Sequence, residues 1–469
     1  MNKQITPTYK NILAIITATV VLCFMAFHNR YPLIFNCDSA MYIEAANMGM
    51  VRADRPILYG LFVMFMSLHK SLWLVVVVQA MIVAFVVNCY FRYFTSAANY
   101  IPYYLSFIVL ISFFMGGSFV TSWLMPDVFT PLSILCIGLL LFIEKLKLAE
   151  LIVISILTVV SIAMHNSHFF ICLSFTLLLL AGFAFRQIRY KYQAAGIQIK
   201  RLLFTIVLVV VSNVFLSAVH YKYSGEFKAS RGGPIFLMGS FIEMGVVDTY
   251  LAENCGRKNY KLCQYRKALP NNFMWASKSP IHKTGGWEGN ELEYSAIIKD
   301  ILTTPAYLKT VVYNSIILTS KQFFHFETGE AGVPLETVVN VIQDYYPNEA
   351  LRFMNARQSN GTLHFEFINH TQTLIVGICL FLFLLVFIYG KLTVRFRLLI
   401  IFILTALLLN AWFCGTFSGV YPRYQDRLVW LLPLPLFLYA MELAVTDNLF
   451  YSIKKKLNLL YVEKRGITD

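Results

Sequence analysis

Ten runs of predominantly apolar residues divide this chain and constrain its fold more than any other feature. They cover residues 11–28, 71–91, 100–116, 127–143, 150–165, 169–185, 202–220, 371–390, 397–415 and 428–446. A transmembrane helix needs about 20 mostly apolar residues, and these runs reach or approach that length. Because a backbone in lipid must satisfy its hydrogen bonds internally, we expect an all-α polytopic membrane protein with about ten transmembrane helices.

The composition of the chain agrees with this expectation. Hydrophobic residues make up 58% of the 469 residues and charged residues 14%, whereas a soluble domain is about half apolar and about a quarter charged. The net charge of +14 would suit a nucleic-acid ligand, but most basic residues lie in short segments between apolar runs, where they determine topology. We therefore expect a membrane and no nucleic acid as partner.

The distribution of basic residues predicts the orientation of the spans. Basic clusters precede the first run and then recur at every second connection, ending with Lys454, Lys455 and Lys456. By the positive-inside rule, ten spans then have both termini in the cytoplasm, and we expect a bacterial inner membrane. The rule also places residues 29–70 outside as one loop. Its apolar stretch 57–69 is too short to span and is expected to lie in the interface or to re-enter.

This topology predicts three parts of the chain. Residues 1–220 hold spans one to seven and the first outer loop. Residues 221–370 lie outside between spans seven and eight, and residues 371–469 hold spans eight to ten and a basic cytoplasmic tail. The middle part is large enough for a small domain. Its many turn-forming residues predict short helices in this outer domain.

Two of the cysteines could form a disulfide, but the cysteine and histidine residues do not indicate a metal site. Cys255 and Cys263 both fall in the outer segment, where an oxidising compartment favours a disulfide; two free thiols are the alternative. His165 and His168 lie at an outer turn and could hydrogen-bond a phosphate or a sugar, with a plain polar turn as the alternative. Without a third ligand nearby in sequence, a divalent metal is compatible with the chain but not indicated, and no other cofactor is predicted.

Two carboxylates lie at the predicted outer membrane boundary. Asp38 follows the first apolar run, and Asp127 begins the fourth. A charge in the bilayer centre costs about 2.5–3.5 kcal/mol even on a lenient scale, so both acids are placed where water is within reach. Each has a structural explanation, a charge at a helix end for Asp38 and a helix cap after Pro126 for Asp127. Their position also suits a substrate with one lipid part and one water-soluble part.

The last outer connection carries two arginines, Arg423 and Arg427. Residues four apart on a helical turn share a face, and guanidinium groups bind phosphate through two parallel hydrogen bonds. One of the two is therefore a candidate phosphate ligand. The alternative is that both side chains extend to the interface beside Tyr421 and Tyr424.

The order of these residues resembles the GT-C superfamily, the multispanning glycosyltransferases that use polyprenyl-phosphate-linked sugars. Asp38, Tyr42, AANMG (45–49) and RPILYGLF (55–62) look like the "D…Y…A…G…P.Y" loop that follows span one in that family. A second acid in the next outer loop is also frequent in the family. The stretch PRYQDRLVWLLPLPLF (422–437) is similar to its final outer loop and span.

The resemblance implies transfer of a sugar from a polyprenyl-phosphate donor to a lipid, glycan or protein acceptor on the outer face. Asp38 would be the catalytic base or the carboxylate that orients the acceptor, and Asp127 would position donor or acceptor. The predicted substrate-binding residues are Tyr42, Arg55, His165, His168, Arg423 and Arg427.

Two other functions share some of these features. A flippase or transporter of lipid-linked saccharides would carry ionisable residues within spans and Gly/Pro-broken helices in paired halves, whereas here the acids crowd one face. A polysaccharide polymerase or ligase would rely on outer-loop arginines rather than on a first-loop acid. A carboxylate base beside a cation for the departing phosphate favours the transferase. The sugar and the acceptor stay open.

Overall fold

The chain folds into α-helices in the computed structural model, which describes residues 8–94, 99–270, 272–330, 332–390 and 392–444. Within these ranges the only extended pairing is an isolated parallel bridge between Leu33 and Trp123. The predicted all-α fold class is therefore confirmed. The predicted basic tail with Lys454, Lys455 and Lys456 lies outside the described residues.

The first part of the described chain contains twelve α-helices. They are α1 (Thr8–Leu22), α2 (Phe24–Asn29), α3 (Asn36–Asn47), α4 (Leu58–Met66), α5 (Trp73–Tyr93), α6 (Ile101–Phe113), α7 (Gly117–Ser122), α8 (Phe129–Phe142), α9 (Leu148–Ala163), α10 (Asn166–Ala184), α11 (Arg186–Ala194) and α12 (Ile199–Ser224). A 3₁₀ turn over Pro126–Val128 leads into α8. Helix α8 is buried along its whole length, so it forms the centre around which its neighbours pack.

The remaining helices belong to the predicted outer segment and to the C-terminal spans. They are α13 (Gly233–Glu243), α14 (Val246–Asn254), α15 (Pro280–Thr284), α16 (Gly286–Gly289), α17 (Glu291–Thr303), α18 (Pro305–Phe323), α19 (Glu336–Tyr345), α20 (Pro347–Met354), α21 (Glu366–Tyr389), α22 (Val394–Phe417) and α23 (Arg423–Val429). After α23 the chain turns once and continues as a helix to the last described residue, 444.

Seven helical segments of the described chain are long and apolar enough to cross a membrane. They are Thr8–Asn29, Trp73–Tyr93, Asn166–Ala184, Ile199–Ser224, Glu366–Tyr389, Val394–Phe417 and Arg423–Ala444. The chain is therefore a multi-pass membrane protein. The other three predicted spans coincide with apolar helices of 10–17 residues, Ile101–Phe113, Pro126–Phe142 and Leu148–Ala163, which are shorter than the usual ~20 residues. The total of ten stays a prediction.

Helix α4 is the short apolar stretch of the first predicted outer loop, and it packs closely on α3. A Cβ atom at Gly60 would collide with the carbonyl oxygen of Tyr42, so only glycine permits this approach. The Tyr42 ring meets the Tyr59 ring edge-on, with centroids 5.1 Å apart. The contact fixes α3, which carries Asp38 in its first turn.

The predicted outer segment contributes to two separate cores. Helices α13, α14 and α17 enclose one of them, around Phe241, Tyr250 and Ile297. Helices α13 and α14 together are apolar enough for a span but meet at 93°, which is the geometry of a broken span or a re-entrant loop. Helices α19 and α20 instead pack into the main core, with α19 against α3. Only the first half of the segment thus has a core of its own.

The disulfide candidates Cys255 and Cys263 are joined in the structure, directly after α14. Removing both thiols (Cys255→Ser with Cys263→Ser) is expected to destabilise the core around Tyr250 by about 2–3 kcal/mol, because the bridge restricts the unfolded chain. Hydrogen exchange of α14 amides measures this loss. Reductant should reproduce it in the wild type and leave the double variant unaffected; a wild type indifferent to reductant would contradict the prediction.

Candidate functional site

A short backbone bridge brings the two acidic loops together. The Leu33 N–H donates to the Ser122 carbonyl (2.9 Å), and the Leu124 N–H donates to the Leu33 carbonyl (2.9 Å). Leu33 shortly precedes α3 and Leu124 shortly precedes α8. The bridge therefore brings together the N-terminal ends of these two helices, where Asp38 and Asp127 lie. The placement of these acids on the outer side of the membrane stays a prediction, and the bridge is the contact that joins the two segments that carry them.

Asp38 is held by an arginine on each carboxylate oxygen. Arg55 Nη2 lies 3.0 Å from Oδ1, and Arg423 Nη1 lies 3.2 Å from Oδ2. The Asp38 side chain is still 27% exposed. Burial raises the pKa of this carboxyl, but the charges of Arg55 and Arg423 outweigh that effect and hold the pKa below its usual value. Asp38 is therefore an ionised carboxylate within reach of solvent.

Arg55 is fixed on all sides. Its Nη2 and Nε lie 2.7 and 2.9 Å from Asp54 Oδ2, and its Nη1 donates to the backbone carbonyl of Asp38 at 3.1 Å. The guanidinium carbon lies 5.1 Å from the centre of the Tyr42 ring, a cation–π distance. Arg55 and Tyr42 are both buried, so they orient Asp38.

Arg423 is the more accessible of the two predicted phosphate ligands. It begins α23, and its side chain is 14% exposed, compared with 2% for Arg427. Its guanidinium lies over the rings of Phe35 (4.5 Å) and Tyr424 (5.0 Å). These aromatic contacts keep the group flat against the protein while one edge stays directed at Asp38.

Asp127 and Arg427 form a second, enclosed ion pair. Arg427 Nη1 lies 3.2 Å from Asp127 Oδ1, and the two side chains are 2% and 4% exposed. Arg427 Nη2 donates to Asn410 Oδ1 (2.8 Å) and to Cys414 Sγ (3.3 Å), so α22 supports the pair. Arg427 Nε has no hydrogen-bond partner among the described residues. This pair is sealed from solvent, whereas Asp38 and Arg423 are not.

His168 is a structural residue of the core. Its Nδ1 lies 2.8 Å from the Ser161 carbonyl and its Nε2 lies 2.6 Å from Thr130 Oγ1. Since the carbonyl only accepts, Nδ1 carries the proton and Nε2 accepts from the Thr130 hydroxyl. Both nitrogens are used inside the protein, so the predicted substrate contact of His168 has no free atom.

His165 is half-buried and caps α10, where its Nδ1 accepts the Ser167 N–H at 3.2 Å. Burial lowers its pKa to about 3, and the positive charges of Arg427, Arg423 and Arg55 act in the same direction. The imidazole is therefore neutral at physiological pH. In the described part of the chain, no group of three or more His, Cys, Asp or Glu side chains is arranged to hold a metal ion.

Two further carboxylates belong to the site and were missed by sequence reasoning. Glu330 Oε2 accepts a hydrogen bond from the backbone N–H of Arg423 at 3.0 Å. Asp426 Oδ1 accepts from Thr328 (2.7 Å) and Gln372 (2.9 Å), and its Oδ2 has no partner among the described residues. A Cβ at Gly116 would lie 2.5 Å from Asp426 Oδ1, so the lack of a side chain at Gly116 makes room for this carboxylate.

The fold and the site together define a multi-pass membrane protein with a cluster of ion pairs at the ends of its apolar helices. Comparison with protein-family models, curated proteins and solved structures finds no match. The resemblance to the GT-C superfamily therefore rests on the sequence motifs, and the function is argued from the chemistry of the site.

Proposed function

We propose that this protein is a membrane glycosyltransferase. It transfers a sugar from a polyprenyl-phosphate-linked donor to a lipid, glycan or protein acceptor at the outer face of a bacterial inner membrane. The observation that carries the proposal is the accessible Asp38 carboxylate between a fixed arginine, Arg55, and a more exposed one, Arg423. A base and a phosphate-binding cation are the two groups that this transfer needs.

Arg423 couples donor binding to the activation of Asp38, because the two compete for the same guanidinium. A donor phosphate that engages the guanidinium competes with Asp38 Oδ2 for the same N–H groups, which now lie 3.2 Å from that oxygen. Oδ2 is then free to accept the proton of the acceptor hydroxyl. The acceptor oxygen bonds to the anomeric carbon, the carbon–oxygen bond to the phosphate breaks, and the phosphate leaves on Arg423.

The fixed groups keep this arrangement in place. Arg55 holds Asp38 through Oδ1 and the backbone carbonyl, so Asp38 retains its orientation when Arg423 turns to the donor. Arg427 lies 5.3 Å from the ring of Tyr424, on which Arg423 also rests. The buried Asp127–Arg427 pair thus helps to fix the Tyr424 ring, against which Arg423 of the exposed pair packs. Such support from neighbouring residues is what a preorganised site requires.

Replacing Arg423 by Gln tests this role. We expect the KM for the donor to rise about 10–100-fold, the loss of one charge-assisted hydrogen bond. The assay uses protein in lipid vesicles with a radiolabelled polyprenyl-phosphate sugar, and transfer to extracted acceptors is followed. The matched control is Arg397→Gln, an exposed arginine at the other end of α22, which should leave the KM unchanged.

The same vesicles separate the alternative functions. Wild-type protein that moves the labelled lipid between leaflets without transferring the sugar would contradict the proposal and favour a flippase. Extension of a glycan chain as the only product would favour a polymerase. An unchanged KM for Arg423→Gln would remove Arg423 from the donor site.

A further inference from the structure

A cavity of about 180 Å³ opens beside His165. It lies between the ends of α9 and α10, the helix α12 and the segment that follows α12. Its polar lining residues are His165, Asn166, Ser212, Asn213 and Ser230. None of the described residues that line it is an Asp, Glu, Lys or Arg.

His165 presents a hydrogen-bond donor to this cavity. Its Nδ1 accepts the Ser167 N–H, so in the neutral imidazole the proton is on Nε2. Within the described residues, this Nε2–H has no hydrogen-bond partner. A donor of this kind, half-buried and unused by the protein, is suited to an oxygen atom of a ligand.

Two amides add further unused groups. The side chains of Asn166 and Asn213 line the same cavity, and neither makes a hydrogen bond to the described residues. Asn213 lies within the apolar span Ile199–Ser224, where a polar side chain without a partner is costly. Each amide offers two donors and one acceptor, so the pair can bind several hydroxyl groups.

The lining also has an apolar face. Phe169 and Phe170 contribute their rings, and Phe170 is held in place by stacking on Phe413, with centroids 5.3 Å apart. Neutral amides, a neutral imidazole and aromatic rings match a molecule with hydroxyl groups and one apolar face. Without a cationic side chain the cavity does not suit a phosphate. Its volume lies below the ~300–1,000 Å³ of pockets for drug-sized ligands, which limits the occupant to about one ring.

The cavity is close to the ion-pair cluster. The His165 ring lies 5.4 Å from that of His168, and His168 bonds to Thr130 on α8, three residues after Asp127. We infer that this cavity is a subsite for one uncharged sugar ring of the substrate, bound by His165, Asn166 and Asn213. The inference rests on the proposed glycosyltransferase function and adds the charge and size of the sugar that it accepts.

Saturation-transfer NMR on the purified protein tests the subsite. The probes are D-glucose, D-galactose, D-mannose and N-acetyl-D-glucosamine, with D-glucuronate as the charged counterpart, in a detergent without a sugar head group. We expect at least one neutral sugar to bind and glucuronate to bind more weakly. Asn213→Leu removes the amide, and Ala229→Phe fills the cavity from the segment after α12. Each should weaken binding about tenfold or more, as the loss of one or two hydrogen bonds does.

Val214→Leu is the matched control, because this neighbour on α12 is 52% exposed and does not line the cavity. It should bind like the wild type. Equal binding by Asn213→Leu and Ala229→Phe, no binding of any neutral sugar by the wild type, or tighter binding of glucuronate would each overturn the inference. Asp38→Asn should still bind the sugar. If that variant also keeps wild-type transfer, the proposed catalytic function fails while the subsite stands.

Discussion

Asp38→Asn is expected to lower the rate of sugar transfer by about 10²–10⁴-fold, the usual contribution of a general base. Asparagine has nearly the same shape, and its one side-chain oxygen can still accept a hydrogen bond from one of the two arginines, which now lie 3.0 and 3.2 Å from the carboxylate oxygens. It cannot take up a proton from the acceptor. Single-turnover transfer in vesicles measures the rate, and binding of the labelled donor, measured separately, should change little.

The control for this substitution is Asp344→Asn, the same chemical change on the exposed surface of α19. It should transfer sugar at the wild-type rate. Unchanged transfer by Asp38→Asn would show that Asp38 is not the base. Loss of donor binding together with transfer would instead assign Asp38 to holding Arg423.

The pH profile of the wild type provides a second readout of Asp38. The ionised form is the active one, and Arg55 and Arg423 keep the pKa of Asp38 below its usual 3.8 despite its burial. Activity that depends on Asp38 is therefore retained as the pH falls through the usual range of an aspartate, and is lost only below it. The ion pairs also stabilise the fold above the unfolded pKa, and this stabilisation disappears as the pH falls through the folded pKa.

Arg427→Met is expected to destabilise the protein by about 3–5 kcal/mol, because it leaves Asp127 as a buried carboxylate without its cation. The Asp127 side chain is 4% exposed, so water cannot take the place of the lost cation without a rearrangement. Asp127→Leu should destabilise the protein by a similar amount, because it leaves the Arg427 guanidinium buried without its carboxylate. Thermal unfolding in detergent, followed by circular dichroism, gives the change in stability.

The double variant Asp127→Leu with Arg427→Met decides whether the two effects belong to one pair. It should be more stable than either single variant, since a buried pair is often replaceable by apolar side chains. Arg397→Met, at an exposed position, should leave the unfolding temperature unchanged. Additive losses in the double variant would mean that the side chains act independently.

The sequence predicts the helices and the candidate acids better than their partners. Apolar runs fix helices wherever they are long enough, but Pro126 and the 3₁₀ turn shorten the helix at the fourth predicted span. The grouping of Asp38 with Arg423 followed from topology. The choice of partner did not, because it depends on the Leu33 bridge and on the turn that begins α23.

Some members of the site had no usable signal. Asp426 lies directly before Arg427 and was indistinguishable from a surface charge, yet it is buried against Thr328 and Gln372. Glu330 lies in a segment that matched no motif. His168 looked like its neighbour His165 in sequence, and only the packing of α8 beside it separates a core residue from one that faces a cavity.

The ion pairs Asp38–Arg423 and Asp127–Arg427 each join one residue synthesised early to one synthesised late. Asp38 meets Arg423 across 385 residues, and Asp127 meets Arg427 across 300. A ribosome that synthesises the N-terminal part first therefore produces both acids long before Arg423 and Arg427 exist. Until the last connection emerges, Asp38 has only Arg55 as its cation, and Asp127 is without its partner Arg427. A chain that stops before that connection lacks both Arg423 and Arg427 and cannot complete the site.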